Sequence, residues 1–570
     1  MRFKYLVLQL LSFSTLGQTA SIRTRTQPVA TINNGTLIGT QNPKHNQDLF
    51  LGIPYAQPPL GDLRFNHPQP INQSWSEKQA IAYGPWCHSS PLTLPGFTQT
   101  GFEHEESEDC LTINVVRPSG VKDDARLPVL TWIHGGGLRE GFGADQRYNM
   151  SFLIQESVKM GQPTIGVSFN YRLSGFGFLQ GRAVNEDGVA NLGLYDQRLA
   201  LHWIQENILA FGGDPSRVTI QGESSGAVSV GHHFVAYGGR DDGLFHAGIA
   251  ESGGPLSTSA FISLDQQDLL YNDVLNATNC IDKEDTLQCL RSRPASTLKD
   301  AFQGVNYYPV MDGGMVTGFP SVALREGSFV KRPLLIGTNT NEGTAFSVTG
   351  SLGVNNSADF RTMITQFSGG NGLTNTTVNA LVDQYVHKLS PEEVQADLGT
   401  VLQSPSPRYG ALYGQVTLYI GDFMFNAARR YTTELWARYG VPAYTYRFDA
   451  VSNGVPNKIL GATHFQEIPF VFRNFDGVGH QVKPLVSNST ELQQKYQDLS
   501  RLMSRMWLSF ANTLSPNDHQ VPRFNVAWPA YRNESAENIV FRLNDTHLEP
   551  DTWRSNAIRS LVSSFHEFKI

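Results

Sequence analysis

Charge is sparse in this 570-residue sequence: Asp, Glu, Lys and Arg make up 17%, the formal net charge is only -7, and Lys and Arg nowhere gather into a cluster. A chain without a basic patch has nothing to follow a phosphate backbone, which excludes nucleic acid as a partner, and nothing to dock on an anionic bilayer. Beyond the first twenty residues no stretch approaches the ~18 nearly uncharged apolar residues that a membrane span requires. Metal-binding spacings are missing as well: no His-x-x-x-His pair stands near a carboxylate in a persuasive setting, and the cysteines do not cluster, so no metal is expected. A nucleotide-binding glycine loop is also absent, so no cofactor is expected. Neither an internal repeat nor a long Ser/Gly linker divides the chain, which makes one large unit over 21–570 more economical than several joined domains. What remains is 40% hydrophobic, enough to bury a large core.

The N-terminus has positive residues Arg2 and Lys4, an apolar run over 5–16 and small residues near Thr19-Ala20. That is the layout of a secretory signal peptide over 1–20, cleaved after Gly17 or Ala20, and it implies an extracellular protein. The C-terminus carries neither a lipid-anchor tail nor a retention tetrapeptide. Four cysteines in an exported chain read as two disulfides. Three pairings are formally open, and sequence proximity favours Cys87 with Cys110 and Cys280 with Cys289. Nine Asn-x-Ser/Thr triplets, at Asn34, Asn72, Asn149, Asn276, Asn355, Asn375, Asn488, Asn533 and Asn544, fit the same compartment as N-glycosylation acceptors.

Short β-branched or apolar runs bounded by Gly, Pro or charge predict strands over 29–32, 36–38, 111–117, 128–134, 164–169, 218–221, 334–336 and 443–448. Helical spacing falls between them, over 148–159, 192–211 and 227–236, the second closed by Gly212-Gly213. Strands alternating with helices predict an α/β fold, an open and mostly parallel sheet with helices on both faces and long insertions.

The most specific local signal is Gly222-Glu223-Ser224-Ser225-Gly226, set between a β-branched strand and an Ala/Gly-rich helix. Small residues on either side let the chain reverse sharply and hold the Ser224 hydroxyl out at the end of the sheet. A serine hydroxyl is a weak nucleophile at neutral pH and needs a histidine base and an acid that orients it, which follow the serine in chain order, acid first. His232, His233 and His246 follow Ser224 too closely for an acid-bearing strand to intervene. His464 stands out because a strand and a turn-rich loop precede it and an apolar run follows. Among Asp312, Glu342, Asp383, Asp422 and Asp449, Glu342 lies just past a predicted strand, with Asp312 in Asp312-Gly313-Gly314 a close competitor. Backbone N–H donors for an oxyanion would come from His134-Gly135-Gly136-Gly137 and from Ser225.

Several long motifs then occur in order: Glu108-Asp109-Cys110-Leu111-Thr112-Ile113-Asn114-Val115, the His134 glycine cluster, Tyr195-Asp196-Gln197-Arg198-Leu199-Ala200-Leu201 and Phe211-Gly212-Gly213-Asp214-Pro215. In these the chain resembles the type-B carboxylesterase/lipase family of α/β-hydrolases, and most of all its secreted fungal members, from Pro28 onward. The resemblance implies Ser224 as nucleophile, Glu342 as acid and His464 as base, with Gly136, Gly137 and Ser225 in the oxyanion hole, and it agrees with both cysteine pairings. Ser225 departs from the alanine usual there, and Leu138 stands where an aromatic is common.

Lipid-acting relatives carry an amphipathic flap inside the first disulfide loop. Here the loop from Cys87 to Cys110 holds Leu92, Leu94, Pro95, Phe97 and Phe102 before an acidic run, but shows no long helical pattern. That favours short-to-medium-chain esters, with only transient lipid-interface contact. A triacylglycerol lipase or sterol esterase with a small lid is the alternative, and a catalytically inactive binding or adhesion protein a third. The last is opposed by the presence of Ser224, Glu342, His464 and the glycine cluster together. Oligomeric state is not legible.

Overall fold

The computed structural model describes residues 27–98, 104–256, 260–349 and 353–570. The expected signal peptide over 1–20, and Phe102 and Glu103 of the disulfide loop, lie outside the described residues.

Eleven strands form the main sheet. In chain order they are β1 (Thr40–Asn42), β2 (Gln47–Pro54), β3 (Thr112–Pro118), β4 (Leu127–Ile133), β5 (Ile165–Phe169), β6 (Gly213–Glu223), β7 (Ala247–Glu251), β8 (Leu334–Asn339), β9 (Ala443–Phe448), β10 (Glu537–Phe541) and β11 (His547–Pro550). Across the sheet the order is β11-β10-β9-β8-β7-β6-β4-β5-β3-β2-β1. From β10 to β5 every neighbouring pair is parallel, while β11 at one edge and β3, β2 and β1 at the other pair antiparallel. A smaller sheet joins Val29–Ile32, Gly35–Ile38 and Glu77–Gln79.

The strand sequences explain why the sheet is covered twice. Along β4, Val129 and Ile133 enter one apolar core while Leu130 and Trp132 enter the other, and along β8 Leu334 and Ile336 alternate with Leu335 in the same way. Period-two alternation of apolar side chains on both faces is what a buried parallel sheet requires. Helices supply the covering layers. The crossover from β4 to β5 is α1 (Met150–Lys159), capped by Asn149, whose side chain accepts from Ser151 N. The predicted start at 148 moves because that cap takes a non-helical backbone, with a tight turn, Gln146–Tyr148, before it. Leading into β6, α2 (Leu192–Asn207) tightens into a single turn, Ile208–Phe211, that ends on left-handed Gly212. After β6 comes α3 (Ser225–Gly239), whose regular turns end where Ala236, Tyr237 and Gly238 leave helical geometry. Further along are α4 (Glu342–Thr349), the short α5 (Ile468–Val471) and α6 (Thr490–Thr513). Leu499, Met503, Met506, Trp507 and Phe510 of α6 share the core that contains Trp132 and Leu335.

The register brings the chemistry together. Gly222 of β6 pairs with Ile133 of β4, Glu223 with Glu251 of β7, and Glu251 with Gly337 of β8, so the carboxyl ends of four parallel strands stop side by side. Open sheets of this kind bind ligands at that edge. Both disulfides form as expected, Cys87 with Cys110 and Cys280 with Cys289. No helix among the described residues is long and apolar enough to cross a membrane.

Candidate active site

At the end of β6 the chain reverses on Ser224, whose backbone sits at φ 57° and ψ −125°. This region is costly for any residue with a Cβ, by ~1–3 kcal/mol, and persists only where surrounding bonds impose it. Here Ser224 N donates to Glu251 O at 2.9 Å, and Ser224 O accepts from Val228 N at 3.0 Å. The flanking glycines are steric necessities. A Cβ on Gly222 would stand 2.4 Å from the Gly226 carbonyl carbon, and one on Gly226 would stand 2.1 Å from Ile133 O. The turn thus packs without side chains against itself and against β4.

His464, buried in the loop between β9 and α5, points Nδ1 at Glu342 Oε2 across 2.6 Å. The other Glu342 oxygen accepts from Asn339 N at 2.7 Å and Ser252 Oγ at 2.5 Å, which fixes the carboxylate's orientation. Phe346 and Phe425 flank the imidazole, with ring centroids 5.1 and 4.9 Å away. Nε2 has no hydrogen-bond partner among the described residues; Glu223 Oε1 lies 3.2 Å from it without hydrogen-bonding geometry. Asp312, the competing acid, instead closes a turn, accepting from Gly314 N and Val316 N and from Asn191 Nδ2.

The glycine cluster lies directly on the elbow. A Cβ on Gly135 would meet Glu223 O at 2.5 Å and the Ser224 Cβ at 3.1 Å. Gly136 and Gly137 take φ of 105° and 66°, conformations that glycine alone adopts freely, and Leu138 follows at 58°. The disulfide loop reaches the same place. Leu92 Cδ2 would lie 3.5 Å from a Cβ on Gly137, and Gln466 Nε2 donates to Gly96 O at 3.2 Å. Phe97 meets Phe465, next to His464, edge to face at 5.0 Å, and the Arg147 guanidinium lies over both rings at 4.6 and 5.0 Å. Leu94 and Phe97 are buried, so this part of the loop packs on the body.

Three further acids surround the pair, and sequence reasoning passed over all of them. Burial and the nearby Glu467, Glu342 and Glu251 push the Glu223 carboxyl well above its ordinary range. Burial and Glu467 do the same to Glu251, whose Oε1 accepts from Gln221 Nε2 at 2.6 Å. Glu467 is raised to about 7, by burial first and by Glu342 second, although Asn339 Nδ2 donates to it at 2.6 Å. Like carboxyls sharing a dry site cannot all ionise, so burial and crowding favour the neutral form of Glu223 and of Glu251. The signal for them was their position: Glu223 inside the serine pentapeptide, Glu251 at a strand end, Glu467 three residues beyond His464.

An elbow serine, a buried Glu–His pair and a glycine loop at the carboxyl edge of a mostly parallel sheet define an α/β-hydrolase. The carboxylesterase family pattern matches residues 26–556, and the chain belongs to that family, a serine hydrolase of esterase and lipase type. It is 32% identical to Lipase 2 of Geotrichum candidum over 553 residues, 90% of this chain and 91% of that one. It is likewise 32% identical to Secreted lipase 1 of Botryotinia fuckeliana, over 92% and 90% of the two chains. Among solved structures, Aspergillus niger EstA superposes with a TM-score of 0.81 at 29% identity, covering 96% of this chain and 99% of its own.

Proposed function

We propose that the protein is a secreted serine ester hydrolase that works through an acyl-enzyme on short-to-medium-chain esters. The observation that carries this reading is the Nδ1 contact of His464 with a fully oriented Glu342 carboxylate, beside a strained serine elbow. Glu342 holds the imidazole in the tautomer that leaves Nε2 basic, and Nε2 takes the Ser224 proton as the hydroxyl attacks the ester carbonyl. Gly136, Gly137 and Ser225 offer backbone N–H groups to the tetrahedral oxyanion. His464 then protonates the departing alcohol, and water activated by the same nitrogen releases the acid. Neither metal nor cofactor enters these steps.

Chain-length preference follows from the disulfide loop. Its described part lies across the glycine loop and the His464 loop, contains no helix, and is tied down by Gln466 and Arg147. A loop packed down in this way supports a preference for shorter acyl chains. The apolar Leu92, Leu94 and Phe97, together with relatives named as lipases, support the alternative of a triacylglycerol lipase or sterol esterase with a small lid. Those relatives, one named as secreted, and the N-terminal signal support an extracellular location. Rates on p-nitrophenyl esters from acetate to palmitate, with and without an emulsion, separate the two: a maximum at four to eight carbons (roughly) without interfacial gain is expected. A maximum at long chains with a jump at the interface overturns the chain-length assignment.

A further inference from the structure

We propose that the Ser225 hydroxyl, and not only its backbone, is a positioning element: it latches the exit of the oxyanion loop to the residue that follows the nucleophile. The inference rests on the roles proposed above for Ser224 and the glycine loop.

Two hydrogen bonds hold the ends of the glycine loop. Leu138 N donates to Ser225 Oγ at 3.1 Å, which ties the exit of the loop to the elbow. At the entry, Tyr171 donates its phenol proton to His134 O at 2.7 Å. His134 and Leu138 are the residues on either side of Gly135-Gly136-Gly137.

Two observations show that the loop needs such a tie. Gly136, Gly137 and Leu138 all have positive φ, and Leu138 is a leucine in a conformation that disfavours a branched side chain. Leu138 is also buried, so its N–H, deprived of Ser225 Oγ, would become an unsatisfied buried donor. The loop's other bonds do not reach the elbow: Ser174 N donates to Leu138 O at 2.7 Å, Arg139 N and Glu140 N to Gly136 O at 3.1 Å, and His134 Nδ1 lies 3.0 Å from Gly135 O. Packing of the Tyr171 ring on His134, stacked at 4.4 Å, positions the phenol but does not reach the loop exit. With an alanine at 225 the body and elbow remain, but the loop loses its bond to the elbow. Oxyanion stabilisation depends on donors held in place before the reaction, so the loss falls on kcat and spares ground-state binding.

The test compares Ser225→Ala, Ser225→Thr and Ser224→Ala with wild type, using p-nitrophenyl butyrate rates normalised to active sites counted by the acylation burst. For Ser225→Ala the expected result is a fall in kcat of about tenfold with KM within about twofold, and an equal loss of affinity for a trifluoromethyl ketone whose hemiketal carries the oxyanion. Ser225→Thr restores the hydroxyl and recovers most of both. Thermal unfolding of each variant identifies any misfolded one, and the burst normalisation removes it from the comparison. Wild-type kcat and inhibitor affinity in Ser225→Ala overturn the latch while Ser224→Ala remains inactive. A burst that persists in Ser224→Ala overturns the underlying assignment instead.

Discussion

Ser224 is held in a conformation that a folded chain does not maintain for nothing, and beside it stands an imidazole oriented by a carboxylate that is itself held by two donors. Replacing Ser224 with alanine should lower kcat by roughly 10⁶-fold without preventing folding, measured by ester turnover and circular dichroism. Glu342→Gln should cost about 10⁴-fold, because an amide facing Nδ1 favours the wrong tautomer. The pentapeptide around Ser224 was legible in the sequence because a strand–turn–helix transition is local. The pair proposed to work with it was not: Glu342 and His464 lie 122 residues apart, and residue type alone left Asp312 nearly as good an acid. It was the resemblance to a family that favoured Glu342. Glu223, Glu251 and Glu467 escaped notice because an acid reads as surface until tertiary packing buries it.

At the scale of elements, the site exists because four strands end in register and the segments after them reverse over one another with almost no clearance. Gly226 marks one of the tight points, where α3 starts against β4. Gly226→Ala would place a methyl group 2.1 Å from Ile133 O, backbone that cannot step aside. We expect it to destabilise the fold by more than about 2 kcal/mol in urea unfolding, whereas alanine at solvent-facing Gly188 should cost less than the elbow substitution. The strands predicted over 334–336 and 443–448 and the helix over 192–211 all exist close to where their patterns place them, since their apolar periodicity is unbroken. By contrast α6 went unread. Its buried face mixes Leu, Met, Trp and Ser among many polar residues, and only its packing beneath the sheet identifies it as core.

For the whole molecule, the acid cluster couples stability to pH. Glu467 has a folded-state pKa of about 7 against an ordinary 4.5, so the folded chain holds a proton there that the unfolded chain has released. Stability from this group is intact below about pH 4.5, falls as pH rises to about 7, and stays low above that. Glu467→Gln removes the titration and should raise Tm relative to wild type at pH 8 while giving no advantage at pH 4, read by calorimetry across that range. Seven of the nine glycosylation triplets place their asparagine at the exposed surface, but Asn149 is half-buried. Its side chain caps α1 through Ser151 N and donates to Gln146 Oε1 at 2.7 Å. Glycopeptide mapping of the expressed protein should find no sugar at Asn149, since a half-buried amide already engaged by Ser151 and Gln146 is poorly presented to a glycosyltransferase.

We propose Ser224 as the nucleophile of an ester hydrolase. Incubating the protein with a fluorophosphonate and mapping the adduct by mass spectrometry tests it in one step. The expected result is stoichiometric modification of Ser224, with loss of all ester turnover in proportion to labelling. Full esterase activity with Ser224 unmodified, or modification of a different serine that tracks inactivation, would contradict it.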